Sequence, residues 1–232
     1  MNQLLITIPF CKADEENAGR LLDWIYHLGG KRRNGFVLLA AAHDVHAETI
    51  EKLKISAELA FDTFDAIKVG QVQTNYKDLK VNKMFKAVAS HVARNYRVPW
   101  MWCEPDLTPL DPMWMWRLAA AYYNQPKRYM SLYFKAHDLT FPARCGVYPH
   151  DAINDLGPLC DSATQFNRNS GLIVATTKTD LVREIHIASS EDYEKVDLNA
   201  SVAVHSDKLG LALAAREEEL ASKAAGKMAP AS

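Results

Sequence analysis

The sequence predicts an α/β protein with a mostly parallel central sheet and helices on both of its faces. Three observations carry that expectation. Residues 4–8, 36–42 and 99–103 are short, solidly apolar runs, the pattern of strands buried on both sides. The segments between them place apolar residues at helical spacing. Punctuation by Pro9, Gly29-Gly30 and Pro105 falls where each element has to stop.

In chain order, residues 4–8 form a first strand ended by Pro9. Residues 15–28 carry Ala18, Leu21, Leu22, Ile25 and Tyr26 on one helical face. A strand at 36–42, a helix at 47–59 and a short strand at 66–69 follow. Residues 82–96 form a helix with Met84, Phe85, Val88, Val92 and Ala93 on one face, and it leads into the strand at 99–103. Pro112 opens a helix at 113–123. Residues 128–134 read as a strand, and 135–168 as irregular strands and loops walling a cleft. Residues 170–175 read as a strand, 180–187 as a short helix, and 200–204 as a late strand leading into His205. The expected organisation is one domain over residues 1–210, with 211–232 as a C-terminal helix and frayed tail.

The 232 residues are 48% hydrophobic and 24% charged, with a net charge of −1, so no global attraction to nucleic acid is built in. A nucleic-acid contact would need a local patch. Lys31-Arg32-Arg33 is one such patch, and Lys77, Lys80, Lys83 and Lys86 would extend it if the fold joined them. The four cysteines are scattered without a C-x-x-C pair, which argues against a zinc site or a disulfide framework. No apolar stretch is long enough to span a bilayer, and residues 4–8 are too short for a signal peptide, so a soluble cytoplasmic protein is expected. Neither G-x-G-x-x-G nor G-x-x-x-x-G-K-[ST] occurs, so a dinucleotide or P-loop site is not supported.

The most informative stretch is Trp102-Cys103-Glu104-Pro105-Asp106. It leaves two carboxylates at the carboxyl end of a central strand, where open α/β sheets bind ligands. Carboxylates there are costly unless they hold a cation or a hydrogen-bond donor. A hard divalent ion clamping a diphosphate would satisfy them.

Five segments in order resemble a GT-A glycosyltransferase: I-P-F-C-K-A-D at 8–14, V-N-K-M-F-K-A at 81–87, W-C-E-P-D-L-T-P-L at 102–110, C-G-V-Y-P at 145–149 and V-H-S-D-K at 204–208. More narrowly, the chain resembles the small stand-alone GT-A-like transferases of phage and bacteria. The resemblance implies a Rossmann-like GT-A sheet, a nucleoside-diphosphate sugar, Mn²⁺ or Mg²⁺, and a hydroxyl acceptor. It implies Asp106 as the metal ligand. Glu104, standing where the usual D-x-D has its first Asp, would hold the ribose, the donor sugar or a metal-bound water. His205 would contact metal or diphosphate, and Lys208 a phosphate oxygen. Asn82 and Lys83 would contact the donor.

Other residues are weighed on their own chemistry. Pro9 and Lys12 follow the first strand and border the nucleotide, with Lys12 offering a charge to a phosphate. Asp44 is placed to bond a base or ribose, or to cap the next helix. Gly146 and Tyr148 are assigned to the acceptor side, with Gly146 allowing close approach of a ligand; Trp114 or Trp116 is placed near the acceptor or in the core. Asp151, Asp155 and Asp161 are the candidate general bases of an inverting enzyme. The acceptor alternatives are a hydroxymethylated pyrimidine in phage DNA, a glycan or a protein side chain. Two other functions compete: a sugar nucleotidyltransferase, and a non-catalytic nucleotide-sugar-binding module. The first is disfavoured because the loop after strand one has no glycine. Oligomeric state is not readable from the sequence.

Overall fold

The computed structural model describes residues 3–136, 139–162, 165–184 and 201–205, together with 218, 221 and 222. Strand β1 (Leu5–Phe10) leads into helix α1 (Glu15–Gly29), β2 (Arg32–Ala41), α2 (Ala47–Ala60) and β3 (Phe61–Lys68). Helix α3 (Lys77–Asn95), β4 (Trp100–Trp102), β5 (Thr108–Pro109) and α4 (Trp114–Asn124) come next. The chain continues through β6 (Tyr129–Ala136), β7 (Leu139–Tyr148), α5 (Ile153–Leu156), α6 (Ser170–Ala175), β8 (Thr176–Lys178), β9 (Val182–Glu184) and β10 (Ala203–His205).

The main sheet has seven strands in the order β3-β2-β1-β4-β7-β6-β8. Pairing is parallel from β3 to β4 and antiparallel on either side of β7, and β8 returns parallel to β6. A second sheet of three strands, β5-β10-β9, stands beside it. Strand β4 lies between β1 and β7, at the centre of the main sheet.

Alternation along each strand sends side chains into two separate cores. Ile6, Ile8, Val37, Leu39 and Met101 pack with α1, α2 and α4 through Leu21, Leu22, Ile25, Ala57 and Trp114. Leu5, Leu38, Ala40, Trp100 and Trp102 pack with α3, α5 and α6 through Phe85, Val88, Val92, Leu156 and Leu172. Phe85 is the hub of the second core: its ring lies 4.3–5.2 Å from those of Trp100, Trp102, Tyr148 and Phe166. The helices therefore cover both faces, as the apolar runs require. Among the described residues no helix is long and apolar enough to cross a membrane.

Several boundaries differ from expectation. Residues 170–175 are helix α6, not a strand; Asn169 Oδ1 accepts from Gly171 N at 2.9 Å and caps it. A six-residue apolar run is ambiguous between the two states, and the cap decides it. Within 180–187, residues Val182–Glu184 form β9, because pairing with β10 overrides local helical preference. Helix α3 begins at Lys77 instead of residue 82, and β3 begins at Phe61 instead of residue 66. The domain boundary at 210, and the C-terminal helix apart from residues 218, 221 and 222, lie outside the described residues.

Candidate active site

Pro105 has no N–H to continue a ladder, so β4 pairing ends with Cys103 N donating to Thr7 O at 2.9 Å. The chain then turns, closed by Leu107 N to Glu104 O at 2.9 Å, and enters β5. Strand β10 pairs antiparallel with β5, Val204 opposite Thr108, and this pairing carries His205 to the turn. Glu104, Asp106 and His205 thereby present ligand atoms within 4.8 Å of one another.

The three side chains are tightly coupled. His205 Nε2 donates to Glu104 Oε2 at 2.7 Å and lies 3.4 Å from Asp106 Oδ1. The other oxygen of Glu104 accepts from Arg144 Nε at 3.2 Å and from Trp102 Nε1 at 3.3 Å. Burial by itself would raise the Glu104 pKa. The His205 hydrogen bond and the Arg144 charge outweigh it and hold the carboxyl at about 2, below its usual 4.5. Because the folded value lies below the unfolded one, ionised Glu104 stabilises the fold fully above pH 4.5. That contribution is lost as pH falls through about 2. Replacing His205 with glutamine is expected to move the acid-unfolding midpoint, followed by circular dichroism, to higher pH. An unchanged midpoint would show that the pair adds nothing to acid stability.

Glu104 and Asp106 of this cluster form one wall of a cleft of about 450 Å³. Pro9, Cys11, Asp14, Asn17, Lys77 and Arg144 also line it. A second cavity of about 280 Å³ adjoins, lined by His43, Asp44, Val69, Val72, Lys80 and Met84. Cys11, Lys77, Val81 and Met84 are shared by both, so the two make one groove across the carboxyl ends of β1, β2 and β4. The groove has an apolar chamber edged by Asp44 and a polar chamber holding the carboxylates.

Of the residues singled out from sequence, Glu104, Asp106 and Pro9 line the polar chamber, His205 joins the two carboxylates in the ligand cluster, and Asp44 edges the apolar chamber. Lys12 is exposed and lines neither chamber. Lys208 lies outside the described residues. Asn82 is buried within α3, where its Nδ2 donates to Ser162 O at 3.1 Å. Lys83 and Lys86 both pair with Asp161, whose hydrogen bonds from Lys83 and then Lys86 hold its carboxyl at about 2. Asp155 is likewise lowered, first by the hydrogen bond from Tyr129 and then by Arg128; Asp151 also pairs with Arg128. Neither Asp155 nor Asp161 lines the groove, and both are poor bases when so stabilised.

Three acceptor-side expectations are corrected by packing. Tyr148 is 3% exposed, stacked on Trp100 at 5.0 Å, with its hydroxyl donating to Arg144 O at 2.7 Å. Trp114 is fully buried under the sheet. Gly146 serves strand pairing: an added Cβ would stand 2.8 Å from Met130 O and 2.9 Å from Ser131 Cβ on β6. The basic residues are not united either. Lys31, Arg32 and Arg33 line a separate cavity of about 390 Å³ with Leu4 and the exposed Trp116, at the amino ends of β1 and β2. Lys77 and Lys80 lie in the groove at the strands' other end.

Arg144 was not anticipated. The one signal was alternation along 144–148, which puts Arg144 on the same side of its strand as Gly146 and Tyr148. Asp14, the last residue of the segment 8–14, and Asn17 also line the cleft; neither was singled out as a site residue.

No family model and no curated protein matches this sequence. Solved structures do match in fold. WbbM, a bifunctional glycosyltransferase, superposes with a TM-score of 0.54 at 9% identity, over 88% of this chain and 45% of its own. Mouse xyloside xylosyltransferase 1 gives 0.53 at 10% identity, over 89% of this chain and 97% of its own. A 4-diphosphocytidyl-2C-methyl-D-erythritol synthase gives 0.52 at 8% identity, over 83% of this chain and 96% of its own. This chain thus spans less than half the length of WbbM. It has a GT-A-like, Rossmann-like fold, with a mostly parallel central sheet.

Proposed function

We propose that this protein is a metal-dependent glycosyltransferase that moves a sugar from a nucleoside diphosphate to a hydroxyl acceptor. The observation that carries this reading is the Glu104–Asp106–His205 cluster, set beside a two-chambered groove at the carboxyl end of a central strand. The apolar chamber suits a nucleobase, with Asp44 accepting a ring N–H, and the polar chamber suits a diphosphate and sugar. Lys77, exposed at the junction, meets the diphosphate where it crosses between them.

The donor set fits a hard divalent ion. Two carboxylates and an imidazole with ligand atoms within 4.8 Å of one another suit Mn²⁺, which accepts nitrogen more readily than Mg²⁺ does. Asp106 would be the principal ligand and His205 the second. Glu104, already engaged by Arg144 and Trp102, would hold a metal-bound water. Bound there, the ion would stabilise the negative charge that develops on the departing diphosphate. The chain's own groups position the donor and keep that charge compensated through Lys77.

The acceptor reading is a hydroxyl on a glycan or protein side chain, ahead of a hydroxymethylated pyrimidine in phage DNA. The separation of Lys31-Arg32-Arg33 from the groove supports this order, because duplex DNA needs a continuous run of phosphate contacts. A nucleotidyltransferase is the second reading, favoured by the synthase neighbour that this chain matches over 96% of its length. The two differ in products: one consumes a nucleotide sugar, the other makes one from a nucleoside triphosphate and a sugar phosphate.

The test is a thermal-shift and calorimetric panel of UDP, CDP, GDP, ADP and dTDP, with and without Mn²⁺, followed by product analysis. One diphosphate is expected to stabilise the protein only with metal, by about 2.7 kcal/mol at a hundred times its Kd. Its sugar conjugate is expected to be turned over to that diphosphate. A protein indifferent to every nucleotide at saturating Mn²⁺ would sink the proposal.

A further inference from the structure

The polar chamber holds a cation that the carboxylates do not fully occupy. Arg144 lines the cleft, its side chain is 22% exposed, and among the described residues only its Nε is committed, to Glu104 Oε1 at 3.2 Å. A guanidinium carries five N–H donors in a planar fork. One of its ends, Nη1, is buried and has no hydrogen-bond partner among the described residues. Buried donors of a charged group are almost always paired in native proteins, so an unpaired one on a guanidinium that lines a ligand cleft points to an acceptor the ligand would bring. The residue is also held in place. Its carbonyl accepts from Tyr148 at 2.7 Å, and Tyr148 is locked into the aromatic core, so Arg144 is fixed as a strand residue is and not as a loop residue is.

The charges in the chamber point the same way. Asp14, Glu104 and Asp106 face Lys77 and Arg144, leaving the lining one charge negative. A divalent ion would turn it one charge positive, enough to receive an anionic donor; without Arg144 the same sum would be zero. A guanidinium suits this task because its fork matches the paired oxygens of phosphate or carboxylate.

We infer that Arg144 is an anion-binding residue of the cleft as well as the clamp on Glu104, its Nε orienting that carboxylate while its outer nitrogens take anionic oxygens of the donor. This rests on the reading of the groove as a nucleotide-sugar site. The shared chemistry is an oxyanion pair, supplied by the diphosphate or by a carboxylate on the transferred sugar.

The experiment is calorimetry on the full chain and its Arg144→Met and Arg144→Lys variants, with folding checked by circular dichroism. Mn²⁺ affinity is measured alone, and then the affinity of whichever of UDP, CDP, GDP, ADP or dTDP binds the wild-type protein best, with and without Mn²⁺. Arg144→Met is expected to weaken diphosphate binding about 10- to 100-fold, the size of one charge-assisted contact pair. It should do so in the presence of Mn²⁺, while Mn²⁺ affinity alone changes less than about threefold. Arg144→Lys keeps the charge but loses the fork, and is expected to weaken binding about fivefold; it decides the matter if the methionine variant does not fold.

A neutral-sugar and a uronate-sugar conjugate of the same nucleotide separate the two sources. Loss with the diphosphate alone assigns the phosphate, and loss confined to the uronate conjugate assigns the sugar carboxylate; either supports the inference. Unchanged affinity for all three ligands in a folded variant, with only Mn²⁺ binding weakened, would reduce Arg144 to a clamp and overturn it. A wild-type protein that binds no nucleotide would overturn the proposed function together with this extension of it.

Discussion

Replacing Asp106 with asparagine is expected to abolish Mn²⁺ binding and to lower nucleotide-sugar turnover by about 10²–10³-fold or more, with the fold intact. Asparagine keeps the shape of the side chain and an oxygen for His205, so the local packing survives. What disappears is the anion that makes the position a ligand for a hard cation. Asp106 lies 3.4 Å from His205, and its side chain is 16% exposed, so it already stands in the ligand cluster. The measurements are Mn²⁺ affinity by calorimetry, turnover by diphosphate release, and the thermal midpoint. A variant that keeps metal-dependent donor binding would remove Asp106 from the site.

The largest stability effect is expected from Phe85→Ala. The ring is fully buried and touches four other aromatic rings at 4.3–5.2 Å, bridging α3 to β4 and β7. Truncation should cost about 3–5 kcal/mol. For a protein of this size that lowers Tm by roughly 6–20 °C. The loss should also reach the site, because Trp102 packs on Phe85 with its ring and donates to Glu104 with its Nε1. Chemical denaturation and Mn²⁺ affinity together test this. A loss below about 1 kcal/mol would mean that the neighbouring rings close over the gap.

The strands at 5–10, 36–41 and 100–102 were legible because burial on both faces leaves an unbroken apolar run, which few other structures produce. The two carboxylates after Trp102 were legible for a related reason: Pro105 marks the strand's end without reference to anything distant. What could not be read was whatever depends on pairing between remote segments. Strand β9 looked helical because its partner, β10, is remote in sequence. The helix start was placed at Asn82 because the true start of α3, at Lys77, lacks a capping side chain. Arg144 carried no local mark, since its meaning comes from β7 lying antiparallel against β4 and bringing it to Glu104. Tyr148 and Trp114 show the reverse error, in which aromatic residues near a recognisable motif were assigned to a ligand when the core needed them.

The attachment of β10 to β5 has a kinetic consequence. His205 reaches Asp106 through a two-residue pairing, Ala203 and Val204 against Pro109 and Thr108, between segments far apart in sequence. Contacts of such long sequence separation are made late, after the costly loop has been closed by other elements. The ligand cluster is therefore completed near the end of folding, and a cation bridging Asp106 to His205 would act as a non-covalent cross-link across that loop. Such a cross-link would slow unfolding at the β5–β10 seam more than it speeds folding, so resistance to unfolding, read over hours, would report whether the ion is in place.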